Sequence, residues 1–518
     1  MTIRTSVSLP VVHPFVGIDL RTALAERASY WGDSTFLVWE PPEGERSTWT
    51  YSAFAAEVDQ VAAGLQARGV RSGDPVVLML DNCPAFLLCW FACARLGAVA
   101  VDLNSRYVTD EIRHALSITG VVGVVTHAGL LPALEPLRDL VSWVVTTDEG
   151  AGTCPDLLGD PNELGDRPAD PGAALCVQFT SGTTSRPKAV LFTHANALWA
   201  AKVGATHAGY TSDDVTLVTA PLFHTAALSW MTLATFWVGG TVVLVPKYSA
   251  SRFWDVSRRN HCTNAFALGI VLQTLGAKPV PEHDYRFWVF GLEMPALEDH
   301  FGVRMFCAWG MTEMVTNVIV NDRTFRSADG AIGRLAPEYQ ARVTRPDGSD
   351  ASPGEDGELR VRGVRGLSVF AEYLLDDTAT AAAFDDGGYF LTGDLVTVLP
   401  GGDVRFAGRG KDMLKVGGEN VAAGEIERVL VEVPGVTQAA VVGRPDPILD
   451  EVPVAFLTIT AGADEQTTRA DALAQCRTRL ADFKVPREVH VLEEIPTVTM
   501  GKIAKGQLGD LARELALS

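Results

Sequence analysis

Short, wholly apolar runs alternate with helix-length segments through most of the chain, and this alternation restricts the fold more than any other feature. "YSAFAAEVDQVAAGLQARGV" places Phe54, Val58, Val61 and Leu65 at offsets 0, 4, 7 and 11, one buried helix face, with Gly69 to end it. "DPVVLML" then predicts a strand, "PAFLLCWFACARLG" a buried helix and "AVAVDLN" another strand; the pattern returns in "GVVGVVTH", "SWVVTTD" and "VTLVTAP". Strands apolar on both faces and separated by helices belong to largely parallel, covered sheets, so the expected fold class is α/β. A chain of 518 residues exceeds what one core usually serves, and two or more domains are expected.

The texture changes around residues 340 to 409, where "YQARVTRPDGSD", "GELRVRG" and "GYFLTGDLVTVLPGGDVRFAGR" read as short alternating strands with turn residues, a β-rich subdomain. Beyond Arg409 a helix over Glu425 to Val431, strands at "QAAVVG" and "VAFLTIT" and a helix over Arg469 to Leu480 make a compact α+β unit. The boundary is placed at Gly410 and Lys411, giving domains 1–409 and 410–518.

The stretch "FTSGTTSRPKAVLFTH" concentrates chemistry. Hydroxyls, one glycine and Lys188 suit a cradle for a compact anion, with N–H and O–H donors and a point charge. It is not the Walker loop, which needs a second glycine just before its lysine. Its flanks, "AALCVQF" and "AVLF", read as buried strands, so the loop joins strand to strand; a solvated turn is the plainer reading of the same residues.

Bulk properties exclude some partners. With 63 acidic and 43 basic residues the formal charge is −20, and no Lys/Arg cluster exceeds "SRR" at Ser257 to Arg259, so neither nucleic acid nor an anionic membrane is an expected partner. The eight cysteines show no C-x-x-C and no metal-ligand spacing, and most sit in apolar company suited to a reducing compartment. The first twenty residues lack the pattern of a secretory signal, and the apolar segment Ala85 to Val101 is interrupted by Arg95 and Gly97. A cytoplasmic location is expected.

Several motifs occur in a fixed order: the loop, "PLFH" at Pro221 to His224, "WGMTE" at Trp309 to Glu313, "GELRVRG" at Gly357 to Gly363, "TGD" at Thr392 to Asp394, "GRGKDMLKVGGENV" from Gly408 and "GKIAK" from Gly501. In this order the chain resembles the AMP-forming acyl-CoA synthetases, a family that also contains firefly luciferase and the adenylation domains of nonribosomal peptide synthetases. "TSRPK", "PKYSASRFW" and "GGENV" look most like its carnitine and crotonobetaine CoA-ligase branch.

The resemblance implies a large N-terminal domain of two stacked α/β sheets plus a small β-barrel subdomain, and a mobile α+β C-terminal domain. It implies ATP/AMP, Mg²⁺ and coenzyme A: a carboxylate attacks the α-phosphate of ATP to give acyl-AMP and pyrophosphate, then the CoA thiol displaces AMP. The nucleotide would be held by Thr180, Ser181, Gly182, Thr183, Thr184 and Lys188, by Trp309, Gly310, Met311 and Thr312, and at the ribose by Asp394 with Arg409. Lys502 resembles the lysine bridging carboxylate and α-phosphate, and Glu313 with Thr184 the metal ligands. The plainer readings are a solvated lysine, a capping glutamate and a core tryptophan. His224, Ser229, Gly310 and Met311 would line the acyl pocket, within a surround that includes Phe266 to Val271. His224, Gly417 and Gly418 would line the CoA tunnel, though two glycines also make a simple hairpin turn. Lys411 falls on the hinge about which the C-terminal domain rotates between half-reactions.

The chain departs from the common pattern at Ser185 and Ala189, where the family has glycine, and at Leu292 and Glu293, bulky replacements beside the expected adenine site; Ala422 and Ala423 read as surface drift. If position 189 needs positive φ or close approach of the triphosphate, Ala189 weakens the ATP half-reaction and leaves an enzyme that uses preformed acyl-adenylate. The leading expectation is a CoA ligase for an aryl, cyclic or medium-chain acid. The alternatives are that thioesterification-only ligase, a stand-alone adenylation enzyme loading a carrier protein, a luciferase-like oxygenase and a non-catalytic binding protein. A monomer or homodimer is expected.

Overall fold

A computed structural model describes residues 3, 6–148, 152–180, 187–409, 413–460, 462–498 and 502–516. Two large sheets form its body. In the first, Val99–Asp102, Pro75–Met79, Gly123–Thr126 and Trp143–Thr146 run parallel to Ala174–Thr180, with Lys188–Thr193 and Glu372–Tyr373 added antiparallel at one edge. The second has nine strands, with a parallel centre from Thr35–Trp39 to Arg304–Gly310 and antiparallel strands at both edges.

The sheets stack because both turn apolar faces toward the same helices. Tyr51–Ala67 buries Phe54, Val58, Val61 and Leu65, the face its spacing implies, and stops where Gly69 adopts φ +90°. Pro84–Leu96 is buried from Pro84 to Ala94 and packs in one cluster with strand residues of both sheets, Leu78 and Leu244 among them. Trp90, Phe86 and Phe91 lie at its centre, each worth about 3–5 kcal/mol against alanine. All eight cysteines are free and buried, consistent with small apolar packing groups.

Residues 340–409 form a four-stranded antiparallel sheet in the order Gln340–Thr344, Asp356–Arg362, Phe390–Val398, Val404–Arg409. Residues 413–516 build a further sheet with two core clusters of their own, one under the helices Ala423–Val431 and Glu465–Arg479 and one under Lys505–Leu515. Ala422 and Ala423 are not surface residues: they are buried at the start of the first of these helices, where small side chains fit against the sheet. Among the described residues no helix is long and apolar enough to cross a membrane.

Candidate active site

The flanks of the Ser/Thr-rich stretch, Ala174–Thr180 and Lys188–Thr193, pair as a hairpin. Phe179 pairs with Ala189 and Thr180 with Lys188, so the two apolar runs are adjacent antiparallel strands and the loop joins strand to strand. Ser181, Gly182, Thr183, Thr184 and Ser185 lie outside the described residues, as do Lys411 and the side chains of Arg409 and Lys502. Thr180 keeps its hydroxyl oxygen buried with no hydrogen-bond partner among the described residues, an acceptor-donor waiting at the base of the loop.

Ala189 carries none of the expected strain. It lies mid-strand, its φ is not positive, its carbonyl accepts from Leu374 N at 2.8 Å, and its methyl is buried in the core beside Leu191. The argument for a weakened ATP half-reaction therefore fails: an extended strand accepts a Cβ, and this Cβ points into the core. The concern over adenine placement also has a physical answer. Glu293 is taken up by Asn321 (2.7 Å), Arg304 (3.6 Å) and Arg326 (3.8 Å), and Leu292 is solvent-exposed.

Strand Arg304–Gly310 carries Trp309 to its end, where the indole Nε1–H donates to Asp394 Oδ2 at 2.9 Å. Trp309 is thus both a core residue and a partner of the carboxylate. Asp394 stands opposite Arg409 in the antiparallel pair Phe390–Val398 and Val404–Arg409, beside Gly393 at φ +72°. Buried at the turn Thr312–Met314, Glu313 accepts from the Tyr373 hydroxyl at Oε1 (2.8 Å), and its carbonyl accepts from Phe370 N (2.8 Å). Burial first, and then the Glu313 carboxylate, push the Tyr373 phenol well above its ordinary range, so the hydroxyl stays protonated. Lys188 Nζ lies 4.2 Å from the centroid of the same ring. Val315 follows at φ +57°, a strained setting for a β-branched residue beside Glu313.

No three His, Cys, Asp or Glu side chains converge as a metal site among the described residues. Glu313, tied to Tyr373 with Lys188 on the same ring, still fits Mg²⁺, a hard cation that shares its shell with phosphate oxygens and water and takes only one or two protein ligands.

His224 lies at the entry of a π-helix over Ala226–Leu233, in which Thr232 Oγ1 donates to the Ala227 carbonyl (2.8 Å). Such wide turns recur at functional sites because they re-aim side chains. The next residue, Thr225, donates to Gln178 Oε1 (2.6 Å), and Gln178 donates to buried Asp102 (3.2 Å), fixing this turn to the strand that leads into the phosphate loop. Ser229 is buried on the π-helix. Gly310 has no room for a side chain, since a Cβ there would lie 2.6 Å from the Thr316 carbonyl oxygen and 2.9 Å from Trp230 Cζ2. Met311 packs partly buried against the same core.

Gly417 and Gly418 form the two-residue turn between Met413–Val416 and Glu419–Ala422, both at positive φ, +59° and +90°. The hairpin reading is thus correct, and the hairpin has a target: Glu419, just past the turn, reaches His224 Nε2 with Oε2 at 3.0 Å. Burial alone would lower the His224 pKa, but the Glu419 carboxylate outweighs it and holds the imidazole above its ordinary 6.5; His224 in turn overcomes the burial that would raise Glu419 and holds it low.

A second bridge supports the first. Lys484 is buried between Glu111 of helix Thr109–Thr119 (2.5 Å) and Glu425 of its own unit (2.8 Å), with its ammonium 4.9 Å from the Tyr107 ring centroid. Burial opposes the charge, yet Glu425 and Glu111 raise the Lys484 pKa overall. Arg106 to Asp482 and Arg479 to Asp110 add exposed pairs at the rim.

The structure thus joins Trp309 to Asp394, Lys188 to Glu313 through Tyr373, and His224 to the Gly417–Gly418 turn. It does not bring described atoms of Lys502 to them: the Lys502 backbone belongs to the short hairpin of Thr497–Val498 and Lys502–Ile503, and Ile503 packs in the C-terminal unit's own core. Tyr373, Glu419 and the Glu111–Lys484–Glu425 bridge were not singled out from sequence. An acid directly after two glycines marked Glu419; nothing local marks Tyr373.

Comparison with known proteins agrees with this arrangement. The AMP-binding enzyme family matches residues 24–374, and the AMP-binding enzyme C-terminal domain matches residues 425–502. Crotonobetaine/carnitine–CoA ligase of Salmonella choleraesuis is 31% identical over 523 residues, covering 95% of this chain and 99% of that protein. A double mutant of o-succinylbenzoate CoA synthetase from Bacillus subtilis, bound with a product analogue, superposes with a TM-score of 0.81 at 26% identity over 94% of this chain and 98% of that one. ATP-bound MatB from Rhodopseudomonas palustris superposes with a TM-score of 0.69 at 26% identity over 96% and 100%. The chain belongs to the AMP-binding enzyme family and is an AMP-forming acyl-CoA synthetase, an acid–thiol ligase that works through an acyl-adenylate.

Proposed function

We propose that the enzyme converts a compact aromatic or cyclic carboxylic acid to its CoA thioester on two faces of one site, and that the structure has its C-terminal unit in the thioester-forming orientation. The His224–Glu419 contact carries this reading, because it seats the tip of the Gly417–Gly418 hairpin against the large unit. The better superposition on the product-analogue-bound synthetase than on ATP-bound MatB, at equal identity, supports it.

In the first half-reaction the acid's carboxylate oxygen attacks the α-phosphorus and pyrophosphate leaves. Asp394, oriented by Trp309, accepts the ribose hydroxyls with Arg409 beside it. Hydroxyl and N–H donors from Thr180 to Thr184, with Lys188, would bind the phosphates, and Lys502 would bridge carboxylate and α-phosphate. Glu313 and Thr184 would hold Mg²⁺, which would supply positive charge against the phosphate oxygens. Catalysis here is positioning and charge stabilisation. In the second half-reaction the CoA sulfur attacks the acyl carbonyl carbon, the C–O bond to AMP breaks, and pantetheine passes Gly417 and Gly418, where no side chain obstructs it. Domains 1–409 and 410–518 exchange the two settings about Lys411, and free CoA is the acceptor.

The choice of an aromatic or cyclic acid is supported by the ring of Trp230, which lies against Gly310 where a side chain has no room, beside Ser229 and Met311 of the expected acyl pocket. The test is a mass-spectrometric panel of benzoate-type acids, crotonobetaine and octanoate with ATP and CoA. An aromatic or cyclic acid is expected to give thioester and AMP at the highest kcat/KM; preference for crotonobetaine or octanoate would refute the substrate assignment and leave the reaction intact.

A further inference from the structure

We propose that Tyr373 is a positioning residue for the adenylation half-reaction, aiming Glu313 through its hydroxyl and parking Lys188 on its ring until a metal-bound triphosphate engages both. This rests on the roles proposed above for Glu313 and Lys188.

Tyr373 reaches these residues from a distant part of the chain. Its two-residue strand pairs Glu372 with Leu191 and Tyr373 with Val190, directly beyond the phosphate-loop hairpin. Two further bonds fix its backbone: Tyr373 N donates to Thr380 Oγ1 (2.9 Å), and Leu374 N to the Ala189 carbonyl (2.8 Å). The ring packs on Phe370 at 4.8 Å between centroids, and Phe370 N holds the Glu313 carbonyl. One residue thus fixes both ends of Glu313's setting, its backbone through Phe370 and its carboxylate through the 2.8 Å phenol bond.

Such outer partners decide where a ligating carboxylate points, and their loss typically lowers metal affinity. The ammonium of Lys188, 4.2 Å from the ring centroid, is attracted to a quadrupole, a weaker partner than a phosphate oxygen. The ring contact limits the rotamers the lysine must give up on binding.

The test uses the full-length enzyme and two variants. Tyr373→Phe removes the hydroxyl and keeps the ring; Tyr373→Leu removes both. Calorimetry follows binding of α,β-methylene-ATP across a Mg²⁺ series, and single-turnover assays follow pyrophosphate release separately from thioester formation with preformed acyl-adenylate and CoA. Tyr373→Phe is expected to raise the Mg²⁺ concentration for half-maximal analogue binding by about tenfold, with melting temperature and the adenylate-to-thioester step close to the parent. Tyr373→Leu is expected to add a further loss in the parent, and none beyond that of Tyr373→Phe when Lys188 is already replaced by Met. Unchanged Mg²⁺ dependence in Tyr373→Phe would overturn the proposal, as would equal losses in both half-reactions accompanied by a lower melting temperature. A parent enzyme that makes no thioester from any adenylate would instead refute the proposed function, an outcome visible before any variant is read.

Discussion

Two faces of this site are built in different ways. Trp309, Asp394, Glu313, Tyr373 and Lys188 are joined by hydrogen bonds and ring contacts within residues 174–409, on strands whose register the core fixes. His224 and Glu419 meet across two units that share no core cluster, held by an ion pair at the site and by buried Lys484 between Glu111 and Glu425. Packing sets the proposed nucleotide face, whereas charge sets the proposed thiol face. Substitutions on the first should act on adenylation in any orientation; those on the second should act only on the step that needs this orientation.

The sharpest separation is expected from Glu313→Gln, which keeps the acceptor for Tyr373 and removes the charge. Pyrophosphate release should fall by about 10²- to 10³-fold, with the adenylate-to-thioester step little changed, as read by single-turnover mass spectrometry. Comparable loss in both steps would erase the distinction between the faces. Glu111→Gln leaves Lys484 its partner Glu425 and weakens only the link between units. Thioester formation from preformed adenylate should drop by roughly tenfold, since a buried pair that loses one charge is costly, while pyrophosphate release holds or rises. A fall in pyrophosphate release alone would mean that the bridge belongs to the other orientation.

Acidity gives a third comparison. The folded pKa of His224 is raised, so its contribution to the closed orientation is full below the ordinary 6.5 and is lost as pH rises through the raised value; Glu419 is lowered, and its contribution is lost as pH falls through that lowered value. The CoA thiol also ionises as pH rises, so the quantity to measure is the ratio of parent to Glu419→Gln rates in the thioester step. That ratio should be greatest between the two values and decline toward one on the alkaline side; a ratio independent of pH would sever the ion pair from the step. The smallest effect is expected at Ala189→Gly: pyrophosphate release unchanged within about twofold and stability lower by about 0.5–1 kcal/mol, the cost of glycine in a strand. A brisk gain in pyrophosphate release would restore the view that Ala189 impairs the loop.

The sequence made the periodic parts of the molecule legible. Helix Tyr51–Ala67, the buried helix Pro84–Leu96 and the hairpin around the phosphate loop follow from spacing and apolar runs, because burial dictates both. Ordered motifs pointed to Asp394, Glu313 and His224. What escaped depends on distant pairing: Tyr373 lies 60 residues from Glu313 and meets it only through an edge strand. The π-helix Ala226–Leu233 is composed like any apolar helix. At Ala189, comparison of motifs suggested strain that an extended strand does not contain. At Ala422 and Ala423, departure from the family's common pattern read as surface drift, whereas both residues are buried at the start of a helix.

The central claim is that one site makes an acyl-adenylate on its nucleotide face and passes the acyl group to a thiol on the other. The most direct measurement mixes stoichiometric enzyme with ATP, Mg²⁺ and the preferred acid without CoA, quenches for mass spectrometry, and then repeats with CoA added as a chase. The account predicts about one equivalent of bound acyl-AMP with matching pyrophosphate, converted on the chase to acyl-CoA and AMP. Formation of ADP, or of acyl-CoA with no acyl-AMP that can be chased into it, would contradict it.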